Sequence, residues 1–420
     1  MIALISASIL ACVALDDSTT LRLRGGEETP SGMIAVGVTD AGVLLGPSDQ
    51  NSAEDLQQGR QPVVKAQVGW DRVESVQGWL APQGAKYADL AILAWRGRVR
   101  LERGDWISAE PLLEQVFPRV RGRSGPTAGV VSEALARARL RRGAHLLAIE
   151  PFLSLLQSGA GPASTIPSLH AAWASEAGLG VLVDPELQIA PALPPIWVHV
   201  PALDAFAANA SLAAGWEAGA APGSPPSRVT FLALLYLEAA KHEAGLPAAM
   251  PPIKPSDAGV QLVSEVVAAR IGTPEQRASA RKLLRDRLRA IESPAPSQAN
   301  ATDESLASSA WIEAWVRMGL GRSLLREYSP DDRQAGVLQL LTLPARFGKS
   351  QPYLAGIALA EASAALRDLG DPAGADMLAA ELFKTYPNHP AVDWEPMRLA
   401  RPVAAPSAPN TSKDQSNSTP

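Results

Sequence analysis

Twice between residues 87 and 157 the chain sets a glycine between two apolar stripes of helical spacing, with an alanine five residues after the glycine. Leu90, Leu93, Ala94, Gly97 and Leu101 form the first stripe, and Gly104-Asp105 breaks it. A second helical stripe then runs through Ala109, Leu112, Leu113 and Val116. Gly143 lies 39 residues beyond Gly104, with Ala148 and then Phe152 following. The same order returns near the C-terminus. Leu359, Ala362, Ser363 and Leu366 precede Gly370-Asp371, and Ala375, Leu378, Ala379 and Leu382 follow, before Tyr386-Pro387. A glycine permits the left-handed backbone of a tight turn between helices. A small alanine lets two helices approach closely where they cross. Upstream of this unit, Ala335 stands 40 residues before Ala375, with Leu338, Leu341 and Leu343 on its face and Ser329-Pro330 where the turn glycine is expected. These spacings predict helices joined in pairs by short turns.

The glycine, alanine and proline spacings resemble those of tetratricopeptide repeats, over roughly 87–157 and 308–390. The resemblance implies a mainly α fold, a TPR-like α-solenoid of helical hairpins, whose concave groove is lined by the first helix of each unit. In that register Arg98 and Arg137 occupy equivalent places and Arg141 follows one turn later. From Arg96 to Arg142 there are eleven arginines and five acids, in a chain whose formal net charge is -5. Arginine holds carboxylates through paired hydrogen bonds. The resulting expectation is a groove that binds a protein or acidic peptide partner through Arg98, Arg137 and Arg141, set against a solvated arginine face as the plain alternative. The mildly acidic total gives no reason to expect a nucleic-acid partner.

Residues 19–79 have a different pattern. Leu21-Arg22-Leu23 alternates, Gly25-Gly26 turns, and Met33 to Val38 is followed by Asp40-Ala41-Gly42 and Val43-Leu44-Leu45. Val63 to Val68 and Val73 to Val76 complete four or five short strands. This order resembles small SH3-like or Sm-like barrels and implies closure of the strands into a β-barrel ahead of the helices.

The remainder divides into a helical, proline-rich middle (159–302), a second helical block (303–400) and a polar tail (401–420) expected to be disordered. Helices are expected at 168–177, 203–215, 229–244, 258–271 and 274–291, a short strand at 179–182, and a buried extended connector at Pro194 to Val198. Arg277, Arg281, Lys282, Arg285 and Arg289 lie opposite Leu284, Leu288 and Ile291, the pattern of an amphipathic surface helix or of a helix lying on a membrane. Met1 to Leu15 carries no charge and ends at Asp16-Asp17. It is too short to span a bilayer and fits the apolar core of a secretory leader. Ile9-Leu10-Ala11-Cys12 also resembles a lipobox, with Cys12 as the acylated residue and peripheral membrane attachment as the result. An uncleaved cytoplasmic N-terminal element is the alternative. Cys12 is the only cysteine, so no intramolecular disulfide forms.

Catalytic and metal motifs are missing. The five histidines (His145, His170, His199, His242 and His389) are scattered, and His242-Glu243 has no second histidine at metalloprotease spacing. Gly348-Lys349-Ser350 ends like a phosphate loop, yet Leu343 occupies the position that requires glycine. The expectation is therefore a non-enzymatic binding scaffold of the bacterial cell envelope or periplasm, without cofactor. Two alternatives stand beside it: a structural or assembly component of an envelope complex, and an enzyme whose site in 159–302 draws on His170, His199 or Glu238.

Overall fold

The computed structural model describes residues 19–26, 29–48, 63–158, 193–209, 227–252, 257–292 and 303–401. Cys12 and the leader, the expected helix at 168–177 with His170, the strand at 179–182 and the tail from 402 onward lie outside the described residues. The fold is mainly α, with helices packed in pairs and a small antiparallel sheet region at the N-terminus. It divides into two units. The first comprises residues 1–195, 208–238 and 251–264, and the second 196–207, 239–250 and 265–420.

In the first unit, β1 (Leu21–Leu23) pairs antiparallel with β5 (Val73–Val76), while β2 (Met33–Thr39), β3 (Gly42–Pro47) and β4 (Ala66–Val68) form a three-stranded meander. Among the described residues no ladder joins these two small sheets. The tight β2–β3 turn needs its glycine: Gly42 has φ 145°, and a Cβ there would lie 2.2 Å from the Val68 carbonyl oxygen. A short 3-10 turn, Trp70–Arg72, connects β4 to β5. Trp70 stacks on Tyr87 with ring centroids 4.7 Å apart, and its indole N–H donates to the Thr39 carbonyl. The sheets do not keep a core of their own. Leu21, Val43, Trp70 and Val73 share one hydrophobic cluster with Leu90, Leu113, Val131 and Leu135 from the helices.

Those helices are α1 (Ala81–Ala85), α2 (Ala88–Glu102), α3 (Trp106–Val120), α4 (Pro126–Arg141) and α5 (His145–Gln157), and from α2 onward each packs on the next. Three further helices follow: α6 (Pro201–Ala207), α7 (Arg228–Glu243) and α8 (Ala258–Ile271). In the second unit α9 (Pro274–Glu292), α10 (Asp303–Leu324), α11 (Pro330–Thr342), α12 (Pro352–Asp368) and α13 (Pro372–Thr385) pack in the same sequential way, and α14 (Glu395–Ala400) ends the described chain. The observed α7, α8 and α9 coincide with the expected helices to within a residue or two at each end.

The turns explain the spacing rule. Gly104, Gly143 and Gly370 all have φ between 76° and 86°, the left-handed region that costs a side-chain-bearing residue. Each closes its helix with the same pair of bonds. Asp105 N–H reaches back to the Arg100 carbonyl and Gly104 N–H to that of Leu101, and the other two turns repeat this pattern. The aspartate after the glycine then starts the next helix: Asp105 accepts from Ser108 N–H and Asp371 from Gly374 N–H. Gly245 ends α7 with the same geometry, φ 73° and a Leu246 N–H bond to the Lys241 carbonyl. Sequence spacing does not reveal that fourth turn, because a proline-rich segment follows it in place of a helix with alanine at the fifth position.

Ala109, Ala148 and Ala375 are fully buried, as the spacing requires. In α11 the register differs by one residue. Ala335 and Leu338 are exposed, and the buried small residue is Gly336, 39 residues before Ala375. A Cβ on Gly336 would come within 3.0 Å of the Gly321 carbonyl oxygen, so α10 and α11 cross backbone against backbone. In the first pair Gly97 has the corresponding role, since a Cβ there would sit 2.6 Å from Leu113 Cδ2. Gly97→Ala is expected to destabilise the chain by about 1–3 kcal/mol through overpacking. Thermal unfolding of Gly97→Ala against Gly97→Ala/Leu113→Ala checks this, with the second change recovering part of the loss.

Candidate functional site

The chain spends its arginines on carboxylates inside the fold. In the first unit, Asp71 of the 3-10 turn is 1% exposed and receives Arg98 Nη1 from α2 at 2.8 Å. Glu102, one turn further along α2, lies 3.4 Å from Arg98 Nε. Burial pushes the Asp71 carboxyl above its usual range, against the pull of Arg98 and Arg72. Its Oδ1 has no hydrogen-bond partner. On α4, Glu133 and Arg137 are both 0% exposed and pair one turn apart at 2.8 Å. Arg142, just past α4, holds Glu110 of α3 through two hydrogen bonds of 2.7 and 2.8 Å, and Arg139 reaches Glu114 at 2.8 Å. Those bonds, followed by the Arg142 charge, hold the Glu110 carboxyl below its ordinary value despite partial burial.

This arrangement corrects the expected arginine groove. Arg98 is tied to Asp71, and Arg137 is sealed beside Glu133, so neither offers a free guanidinium to an incoming carboxylate. Arg98 points to Asp71 in the turn between β4 and β5, and Arg137 is buried against Glu133 of its own helix. Arg141 is exposed and forms no ion pair among the described residues.

The second unit contains a larger network. Arg322 of α10 is 3% exposed and donates through Nε to both oxygens of Glu361 on α12. Its Nη2 bonds to the Trp197 carbonyl and to Glu243 Oε1, each at 2.8 Å. Arg270 of α8 grips both Glu243 oxygens, at 2.9 and 3.2 Å. Burial alone raises the Glu243 carboxyl; Arg270 and Arg322 outweigh it and hold it down at about 2. A second cluster on α10 joins Glu313 to Arg317 at 2.7 Å and to Arg346 at 2.6 Å, with Arg317 also reaching Glu292. Around these pairs, Trp311 and Trp315 meet edge to face at 5.1 Å inside the core, and the Tyr353 hydroxyl anchors the Ile196 carbonyl. The expected connector is thus buried, with Ile196, Trp197 and Val198 pinned by Tyr353 and Arg322.

Of the residues expected for an enzyme, His170 lies outside the described residues. His199 bonds Asp204 at the surface, and Glu238 lies partly buried on α7. No group of three His, Cys, Asp or Glu residues suited to a metal occurs among the described residues. No described helix is long and apolar enough to cross a membrane. Sequence reading missed Asp71, Glu133, Glu243, Arg270, Arg322 and Glu361. Three pairs carried a usable signal, since Arg98–Glu102, Glu133–Arg137 and Glu313–Arg317 stand four residues apart on their helices.

No family model, curated protein or solved structure matches the chain. Fold and site together define a class: a mainly α protein of paired helices, compatible with a helical repeat and stitched by buried arginine–carboxylate pairs.

Removing one partner of a buried pair leaves the other charge stranded. Arg98→Ala is expected to cost roughly 3–5 kcal/mol of stability and Arg141→Ala less than about 0.5 kcal/mol, as read by chemical denaturation. Acid sensitivity is a second consequence. Burial lowers His389 from 6.5 to about 4, with its Nε2 on the Tyr353 carbonyl and its Nδ1 accepting from Ala391 N–H. Burial and three neighbouring arginines bring His242 to about 4, with Glu243 opposing. A folded-state value below the unfolded one means that the unfolded chain takes up the proton first. Stability is therefore complete above about pH 6.5 and falls as pH declines toward 4. For His389 the loss approaches about 3 kcal/mol, and a His389→Asn chain is expected to show a flatter decline over that window in pH-resolved thermal melts.

Proposed function

We propose that the chain is a non-enzymatic scaffold of the bacterial cell envelope that binds a protein partner. In this reading the paired helices form a TPR-like α-solenoid and the N-terminal sheets an SH3-like module fused to its first hairpins. The observation that carries it is the recurrence of one turn. Gly104, Gly143 and Gly370 share a left-handed cap, and each is followed at the fifth position by a fully buried alanine. Stacked hairpins of this kind present extended surfaces, and protein binding is what such surfaces serve most directly. The inward pairing of Arg98 and Arg137 moves recognition away from those two residues, and Arg141 remains the exposed cation of the original set. The two small sheets that the five described strands form support the SH3-like reading.

A structural part in an envelope complex is the second reading, and Cys12 separates its anchored form from a soluble one. Intact mass of the native protein distinguishes an acylated Cys12, an end created by leader cleavage, and an uncut Met1. The uncut soluble form removes the envelope assignment. For binding, the full chain and its Arg141→Glu variant serve as baits in envelope extract. A protein enriched by the first and lost with the second supports recognition through that face. Identical partner sets, or no enrichment over bare resin, overturn it.

A further inference from the structure

Positive charge is left over at one end of the second unit's network. Glu243 and Glu361 neutralise Arg270 and Arg322. Arg326 and Arg277 lie beside this group and form no ion pair among the described residues. Arg326, just past α10, is exposed, and its Nη1 stands 2.7 Å from His242 Nε2 and 2.8 Å from the Arg270 carbonyl oxygen. A ring nitrogen that accepts from a guanidinium is unprotonated, so His242 positions Arg326 without adding charge. Arg277, in the first turn of α9, donates Nη1 to the Gly272 carbonyl at 2.9 Å, and its buried Nε has no partner. The two guanidiniums are anchored on carbonyls only two residues apart, those of Arg270 and Gly272, at the end of α8; in keeping with this, burial and then the charges of Arg270 and Arg277 lower Arg326. Neither nearby acid forms an ion pair with Arg277 or Arg326 among the described residues. Glu327 holds Arg281, and Glu275 accepts the Thr273 hydroxyl at 2.8 Å while feeling Arg277.

Like charges held together at a surface are stabilised by an anion, and guanidiniums match the two oxygens of a carboxylate. The turns that bear these residues also carry apolar side chains. Tyr328, two residues after Arg326, is fully exposed, and Leu246, four after His242, is 44% exposed. An inorganic ion has no use for such neighbours, whereas a peptide does.

We propose that Arg277 and Arg326, braced by the neutral His242 ring, form a binding site for the carboxylates of an acidic, leucine-containing peptide segment of a protein partner. The site rests on the scaffold reading and gives it a partner chemistry. The test is fluorescence anisotropy of a labelled Glu/Leu peptide titrated with the full chain at low salt, beside a Gln/Leu peptide of the same length. The expected result is saturable binding of the acidic peptide only. Arg277→Gln/Arg326→Gln, checked for native unfolding behaviour, is expected to weaken it by about tenfold or more, the loss of one or two charge-assisted hydrogen bonds. Arg277→Lys/Arg326→Lys should restore part of it. Equal affinity for the double glutamine variant, or absence of saturable binding to the wild-type chain, overturns the site. So does displacement of the labelled peptide by inorganic phosphate as readily as by unlabelled peptide, which marks a free-anion site instead. A partner captured from extract equally by the wild-type and double-glutamine baits removes the site and leaves the scaffold reading intact. Peptide binding at the site without any captured partner separates the two in the other direction.

Discussion

Close crossing of helices is the constraint on which the remaining structure depends. Two helices joined by a short turn come together only if the turn residue tolerates a left-handed backbone and the crossing point carries little side chain. Gly104 and Gly370 meet the first condition, and Gly97, Ala109, Gly336 and Ala375 the second. The two requirements are coupled. A glycine turn at a fixed distance from a small residue sets where along its length each helix meets its predecessor. That distance in turn decides which residues fall between helices and which face water.

Once helices approach this closely, long side chains between them have to be satisfied there. Arginine suits the task because its planar fork reaches two carboxylate oxygens at once and stays charged when buried. The chain has 30 arginines against 8 lysines, and several of the arginines join one helix to another: Arg142 joins α4 to α3, Arg346 reaches α10, and Arg322 joins α10 to α12. Such pairs gain little over well-packed apolar side chains, because desolvation offsets most of the attraction. Their stronger effect is on specificity of packing. A helix that slides by one turn leaves Glu110, Glu361 or Asp71 without its cation, and a stranded buried charge is far costlier than a displaced methyl group.

The legible part of the fold was the part governed by local rules. Capping glycines, crossing alanines and the limits of α8 and α9 follow from periodicity and backbone conformation within a few residues, and sequence spacing locates them closely. The misread part was set by tertiary partners. The direction of Arg137 depends on burial beside Glu133, and that of Arg98 on Asp71, which stands 27 residues before it in a sheet region that packs against the same helices. No periodicity in α2 encodes that neighbour. The shift from Ala335 to Gly336 has a similar origin: alanine and glycine both satisfy a small-residue rule, and only the backbone contact with Gly321 decides between them.

The same logic relocates the search for function. In an arginine-rich chain a cluster of positive charge in the sequence is weak grounds for a binding face, since most of its members are consumed by internal carboxylates. The informative quantity is the remainder after pairing. Across Arg96 to Arg142 the formal excess is large, but Arg98, Arg137, Arg139 and Arg142 are already engaged and the usable surface charge shrinks accordingly. At α7, α8, α9 and α10 the local sequence looks less basic, yet two guanidiniums, Arg277 and Arg326, remain unmatched beside a histidine that the fold keeps neutral. Recognition in a protein built this way is expected where pairing fails, because an unmatched guanidinium gains a carboxylate only by binding one from outside.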